Sequence, residues 1–295
     1  MPELPDVVVY LEALQTRIQD QPIEKIRFAS PFVLRSVDPP AADIIGKHVR
    51  GFRRLGKRLV FVLDDDYFIV IHLMIAGRLR WKPVGAGIPG KLGLAAFDFP
   101  NGTLLLTEAS GKKRASIHFV RGAAGLADHD RRGLEPLEIS LAQFREALTR
   151  ESHTVKRTLT DPRTFSGIGN AYSDEILHAA KLSPLALTSK LDDESVERLY
   201  HATQATLKTW VERLRAEARE AFPEKVTAFR EGMAVHGRYK KPCPVCGSPI
   251  RARSPESATP TRTRSSTPRN SRRSPSRRSS MMRASSACIT PRRLP

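Results

Sequence analysis

Residues 164–177 read TFSGIGNAYSDEIL, a glycine turn that runs straight into a helix. Gly167, Gly169 and Asn170 stand immediately before an apolar-periodic run that starts at Ala171. Glycine lets backbone approach a ligand closely, and unpaired N–H groups at a helix start attract anions. The stretch predicts a phosphate-facing helix start, with Asn170 adding a side-chain donor. A plain glycine turn with an Asn cap fits the same letters. Lys156, upstream in the same hairpin, offers charge to the same phosphate.

This stretch lies on the helical side of a divide in the chain. After about Asp128 the pattern predicts helices over 141–150, 154–159, 171–180 and 192–221. The last carries Val196, Leu199, Tyr200, Leu207, Trp210, Val211 and Leu214 on one stripe, with Asp192 and Asp193 as caps. Before the divide, short β-like runs at 59–63, 68–73, 77–81, 94–99, 103–107 and 116–120 alternate with turn signals such as Pro100-Asn101-Gly102. Even spacing of this kind predicts a β-sandwich or barrel. Residues 82–93, rich in Gly and Pro, read as a loop.

The opening MPELPDVVVYLEAL, residues 1–14, predicts a helix from about Asp6, with Val7, Leu11, Leu14 and Ile18 on one face. Pro5 suits the first turn, where its missing N–H is not needed. Pro2 and Glu3 then sit just before a helix N-terminus. If Met1 is removed, the nitrogen of Pro2 is a terminal secondary amine, with a pKa of ~7.7–8.0 for such a group. Its neutral form can attack an aldehyde-like carbon to give an iminium. Glu3 beside it offers general acid or base catalysis. An ordinary N-terminus with a helix-start proline fits as well.

Other residues invite a double reading. Lys57, in the basic turn RRLGKRLVF, is a phosphate contact, a proton donor or a solvated hairpin lysine. IHLMIAGRLRW offers His72, Met74 and Ile75, an apolar wedge among basic residues or simply strand core. Lys112, Lys113 and Arg114 read as a basic loop able to neutralise phosphate, and Lys91 lies in the 82–93 loop. Cys243 and Cys246 form a C-x-x-C whose second pair, due roughly 15–20 residues later in a zinc ribbon, does not arrive. Two thiolates do not complete the four-ligand shell of a structural zinc.

The bulk numbers set bounds. A chain of 295 residues favours two domains. Three cysteines argue for a reducing compartment rather than a disulfide framework. No run reaches the ~18 apolar residues of a membrane span, and the start lacks a secretory pattern. A cytoplasmic protein is therefore expected. The formal charge of +18 points to a polyanion partner. Residues 251–295 hold 12 Arg, no Lys and one Glu, so +11 of the +18 lies there and the other 250 residues carry the remaining +7. That segment is almost pure Arg, Ser, Thr and Pro and is expected to be disordered. Its abrupt start, right after a well-formed half-finger, suggests a shifted reading frame.

Taken together, these signals resemble the formamidopyrimidine-DNA glycosylase / endonuclease VIII family. PELPDV, the lysine of RRLGKRL, HLMIAGRL, SGIGNAYSDEIL and KKPCPVCGSPI occur in that family's order across about residues 1–250. The resemblance implies an α+β fold: an N-terminal β-sandwich with an N-terminal helix (1–127), a helix–two-turn–helix domain (128–235) and an incomplete zinc-finger hairpin (236–250), followed by the tail (251–295). It implies a monomeric bifunctional glycosylase and lyase that excises oxidised bases from double-stranded damaged DNA. Pro2 would attack C1′, Glu3 would transfer protons and Lys57 would contact phosphate and assist strand cleavage by β-elimination. His72, Ile75, Lys91, Lys113, Arg114, Lys156, Gly167, Gly169 and Asn170 would line the DNA. The family's structural zinc would have only Cys243 and Cys246 here, and the chemistry needs no cofactor. The alternative is a catalytically impaired protein of the same fold that binds DNA damage.

Three departures stand out. The slot that usually holds a methionine carries Ile75, and TEASGKKRASIHF replaces the usual Arg-Phe motif. Asp6 stands where the family often has Glu, a shorter carboxylate. The finger lacks its second half and the arginine of its hairpin.

Overall fold

The computed structural model describes residues 1–219, 221–224 and 230–250. The expected disordered tail at 251–295 lies outside the described residues. The chain runs from a first helix, α1 (Leu4–Ile18), through eight strands to five further α-helices. The strands are β1 (Lys25–Phe28), β2 (Val49–Leu55), β3 (Arg58–Leu63), β4 (Tyr67–His72), β5 (Gly77–Lys82), β6 (Gly93–Phe99), β7 (Gly102–Glu108) and β8 (Ser116–Arg121). They form two antiparallel four-stranded sheets, ordered β1-β6-β7-β5 and β2-β3-β4-β8. This is the sandwich expected from the spacing of the apolar runs.

Strand alternation sends one set of side chains between the sheets. Phe61, Ile69, Ile71, Ile117 and Phe119 meet Phe97, Phe99, Leu104 and Leu106 there, all buried. The opposite face of the second sheet is closed by α2 (Gly122–Ala127), whose Leu126 covers Val60, Phe68, Val70 and Val120. Each fully buried Leu, Ile or Phe contributes about 1.5–3 kcal/mol. The sandwich is therefore rigid enough to hold the tight turn between β2 and β3, where Lys57 sits.

The second body consists of α3 (Leu141–Thr149), α4 (Val155–Thr160), α5 (Asn170–Ala179) and α6 (Asp193–Ala218). Its core stacks Phe144 on Phe165, with ring centres 4.8 Å apart, and sets Trp210 edge-on to Tyr172. Ser140 caps α3 and Asp192 caps α6, each accepting a backbone N–H three residues on. The α6 stripe is buried except for Tyr200, which is half-buried and reaches the Ile139 carbonyl.

Helix α1 joins the two bodies. Val7, Tyr10, Leu14 and Ile18 enter the sandwich core, while Leu4 and Val9 enter the helical core. One helix thus plants its first turn at the junction. Among the described residues no helix is long and apolar enough to cross a membrane.

Candidate active site at the junction of α1, α5 and the Lys57 turn

Glu3 is 3 % exposed, yet its carboxylate is fully engaged. It accepts the N–H groups of Gly169 at 2.7 Å, Ala171 at 3.0 Å and Tyr172 at 3.2 Å. These are the unpaired donors at the start of α5. The anion cradled by the glycine turn is therefore the protein's own carboxylate. This corrects the expectation that those N–H groups face phosphate. A carboxylate fixed by the fold fills the helix N-terminus first, as the helix dipole favours. The Asn170 side chain remains exposed at the same point.

Gly167 and Gly169 are both buried, for steric reasons that can be named. Gly167 has φ +83°, and its carbonyl accepts the Leu4 N–H at 2.9 Å. A Cβ on Gly169 would lie 2.5 Å from both the Glu3 carboxyl carbon and the Lys57 ammonium. Glu3 and Lys57 thus converge on a point that no side chain can occupy.

Burial drives the electrostatics here. It raises the Glu3 carboxyl above the usual carboxylate range, against the opposing pull of Lys57 and of the Ala171 and Tyr172 N–H groups. It lowers the Lys57 ammonium, against the pull of Glu3. It also lowers the terminal amine of Met1, which Glu3 and Asp6 push back up. A carboxyl whose pKa is raised thus stands beside a lysine whose pKa is lowered, the setting for acid–base work near neutral pH. Pro2, next to Glu3 in the chain, is buried.

The other candidate residues fall in three groups. His72 ends β4 opposite Arg58, half-buried, with its imidazole pushed down to about 4 by burial and by Arg58 and Lys57. Ile75 is 58 % exposed in the turn after β4, where Met74 has φ +52°. Lys113 and Arg114 lie on the exposed β7–β8 loop, folded back on Glu108: Lys113 donates to its carbonyl, and the Arg114 N–H to its carboxylate at 2.8 Å. Lys91 is exposed in the 83–92 loop. Lys156 donates to Asp174 at 2.6 Å, and the other Asp174 oxygen meets His236 at 2.8 Å. The structure therefore brings Pro2, Glu3, Lys57, Gly167 and Gly169 together, with Asn170 at the rim.

Three further residues were not singled out from the sequence. Arg54 of β2 donates to Gly56 O and to Ser166 Oγ and pairs with Glu135, tying the Lys57 turn to the helical body. Glu175 accepts the N–H groups of Ala234, Val235 and His236 at 2.7–2.9 Å. Arg230 pairs with Asp6. The acidic pair in YSDE was the visible hint for Glu175; its partners lie some 60 residues away and leave no local trace.

The C-terminal hairpin closes through Cys243 N–H to Ser248 O at 2.8 Å and Gly247 N–H to Cys243 O at 2.9 Å. Cys243 is buried, with its sulfur 3.3 Å from His178 Nε2. Among the described residues no group of three or more His, Cys, Asp or Glu is placed to hold a metal ion. The donors among the described residues do not fit the four-ligand zinc that the resemblance implies.

Comparison with known proteins places this fold. Residues 1–168 match the formamidopyrimidine-DNA glycosylase N-terminal domain, and residues 133–220 match the formamidopyrimidine-DNA glycosylase H2TH domain. The chain is 30% identical over 260 residues to the formamidopyrimidine-DNA glycosylase of Pelotomaculum thermopropionicum, covering 85% of this chain and 93% of that one. It is 31% identical over 263 residues to that of Solibacter usitatus, with the same coverage. It superposes on the Lactococcus lactis Fpg bound to abasic-site DNA with a TM-score of 0.74 at 25% identity, covering 84% of this chain and 92% of that one.

Proposed function

Because the chain belongs to the formamidopyrimidine-DNA glycosylase family, we propose that it is a DNA glycosylase for damaged bases that works through its N-terminal amine. The observation that carries this reading is the convergence of Glu3 and Lys57 on Gly169, with Pro2 beside them. With Met1 removed, the Pro2 nitrogen attacks C1′ of a damaged nucleotide held out of the stack. The N–C1′ bond forms as the glycosidic bond breaks, and the departing base takes a proton delivered through Glu3, whose pKa burial raises. Opening of the sugar ring gives an iminium between Pro2 and C1′. Loss of a C2′ proton then expels the 3′ phosphate by β-elimination, with Lys57 next to the leaving group. Its lowered pKa lets it carry a proton in either direction.

The partner is double-stranded damaged DNA. His72, Asn170, Lys91 and the Lys113–Arg114 loop supply exposed or half-exposed contacts along it. Ile75, exposed at a turn, is shaped to enter the stack. One copy of the chain carries every group this mechanism uses, so a monomer suffices.

Borohydride trapping on duplex DNA bearing an abasic site or an oxidised purine tests the reading. A covalent adduct is expected from chain lacking Met1 and none from chain that retains it. A folded protein without Met1 that binds damaged DNA but traps nothing would overturn the mechanism and leave the damage-binding alternative.

A further inference from the structure

Asp6 lies in the first turn of α1, 3 % exposed, and its carboxylate faces two ways. Oδ2 accepts the backbone N–H of Glu3 at 2.9 Å. Oδ1 accepts Arg230 Nη2 at 2.9 Å. Arg230 comes from beyond the end of α6, more than two hundred residues along the chain, and its side chain is 10% exposed. Its other nitrogen, Nη1, meets Glu217 at 3.0 Å. A buried carboxylate with no counter-charge would take up a proton, and burial does push Asp6 in that direction. Arg230 opposes it at hydrogen-bond range.

We propose that Arg230 is a positioning residue for the N-terminal nucleophile: it keeps Asp6 ionised and aimed at the Glu3 N–H, and so clamps the first three residues against α5. The inference rests on the amine mechanism above and adds a residue to it from outside the catalytic cluster. It also accounts for the shortened carboxylate at position 6. Asp reaches the Glu3 N–H from within the turn, and the long Arg230 side chain spans the remaining distance. Charge-assisted hydrogen bonds of this kind contribute more than neutral ones, and the segment that carries Arg230 is tied to α5 through Glu175. The C-terminal hairpin and the catalytic N-terminus are thereby linked.

The test compares the full chain with R230M, R230K, D6N and D6N/R230M. Single-turnover trapping on abasic-site duplex is followed against pH, and hydrogen exchange is followed at the Glu3 amide. The groups facing Asp6 are the Glu3 N–H and carboxylate, Arg230, the terminal amine, Arg78, Tyr10 and Tyr172, with Glu217 on the far side of Arg230. Wild type should show a smaller step from Asp6 than R230M does, because Arg230 opposes the effect of burial. R230M should trap about tenfold more slowly. Its deficit should deepen as pH falls, because Asp6 now gains a proton within the assay range. R230K should recover most of the rate, and D6N/R230M should be no slower than D6N. Exchange at Glu3 should speed up in R230M. Wild-type rate, pH profile and exchange in R230M, or losses that multiply in the double variant, would overturn the clamp. If R230M does not fold, R230K and the charge-neutral pair D6N/R230M decide the matter in the same way. If wild type itself traps nothing, the amine mechanism fails, and Glu3 exchange alone still tells whether Arg230 clamps.

Discussion

Two buried glutamates in this molecule make the same bonds and do different work. Glu3 accepts three backbone N–H groups at the start of α5, and Glu175, inside α5, accepts three from residues 234–236. Each fastens one segment to another far away in sequence. What separates them is their neighbours. Lys57 stands beside Glu3, the terminal amine lies close, and burial holds the Glu3 carboxyl above its usual range. Beside Glu175 the charges are already spent: Asp174 is shared between Lys156 and His236. A three-donor cradle therefore builds structure in both places, and the adjacent, desolvated cations turn one of them into a candidate for chemistry.

Substitution at the first cradle should give the largest effect and should fall on rate. Gly169→Ala places a methyl 2.5 Å from the Glu3 carboxyl carbon and Lys57 Nζ, forcing one of them aside. Trapping should drop by about 100-fold or more, as a misplaced catalytic group allows. Glu3→Gln keeps the shape and removes the proton donor, at a similar cost of about 100-fold or more. Urea unfolding should also weaken in Glu3→Gln, by about 1–3 kcal/mol, because the amide NH2 faces a backbone N–H that the carboxylate had accepted, but the loss of rate should be the larger signature. An unfolding midpoint that collapses while the residual rate stays high would erase the distinction between the two cradles.

Glu175→Ala should show the reverse pattern. It strands three half-buried N–H groups, so stability should fall by about 1–3 kcal/mol. Trapping per folded molecule should change little, provided the Arg230 clamp holds. Measuring unfolding and single-turnover rate on the same preparation checks this. A rate loss as large as that of Glu3→Gln would mean the hairpin belongs to the catalytic machinery.

The same contrast explains what was legible in the sequence. Six of the eight strands announced themselves through buried alternating residues. The two that did not, β1 and β2, are edge strands, as are β5 and β8, whose buried residues do alternate. β1 (KIRF) has no fully buried residue, and β2 (VRGFRRL) carries three arginines and buries only Val49. An edge strand that buries so little leaves periodicity nothing to detect. α2 (GAAGLA) was missed because two glycines in six residues argue against a helix. At the site, Pro2, Glu3 and Lys57 were visible as motif residues. Which anion fills the glycine turn was not, because the answer lies 166 residues away in Glu3. Arg230–Asp6 and Glu175 with its hairpin are likewise long-range pairs whose members look unremarkable apart.

Acid should separate the sandwich from the helical body by a smaller margin. His72 and His118 are both pushed down to about 4 from the ordinary 6.5, mainly by burial and then by cationic neighbours, with His129 adding to the effect at His118. A histidine held neutral when folded binds more protons when unfolded. Stability is then complete above about 6.5 and is lost as pH falls toward 4. Allowing for the partial exposure of both rings, the loss should come to about 1–2 kcal/mol. Urea unfolding at pH 7 and pH 5 reads it, and His118→Gln should flatten the slope. A slope left unchanged in that variant would place the acid sensitivity elsewhere.

The smallest expected effect is none. The hairpin at 236–250 is held by Glu175, by the Cys243–Ser248 and Lys240–Ile250 backbone bonds, and by the contact between Cys243 and His178. Those bonds act without a metal, and the donors among the described residues do not complete a zinc shell. A chelator such as EDTA should therefore leave both the thermal midpoint and the affinity for abasic-site duplex where they were, whereas it would unfold a finger whose folding depends on zinc. The control is Glu175→Ala, which should loosen the same hairpin whether or not chelator is present. If the chelator lowers the midpoint in wild type but has no further effect in Glu175→Ala, metal and carboxylate share the task of holding the hairpin. The second cradle would then resemble the first, with a cation completing what the N–H groups begin.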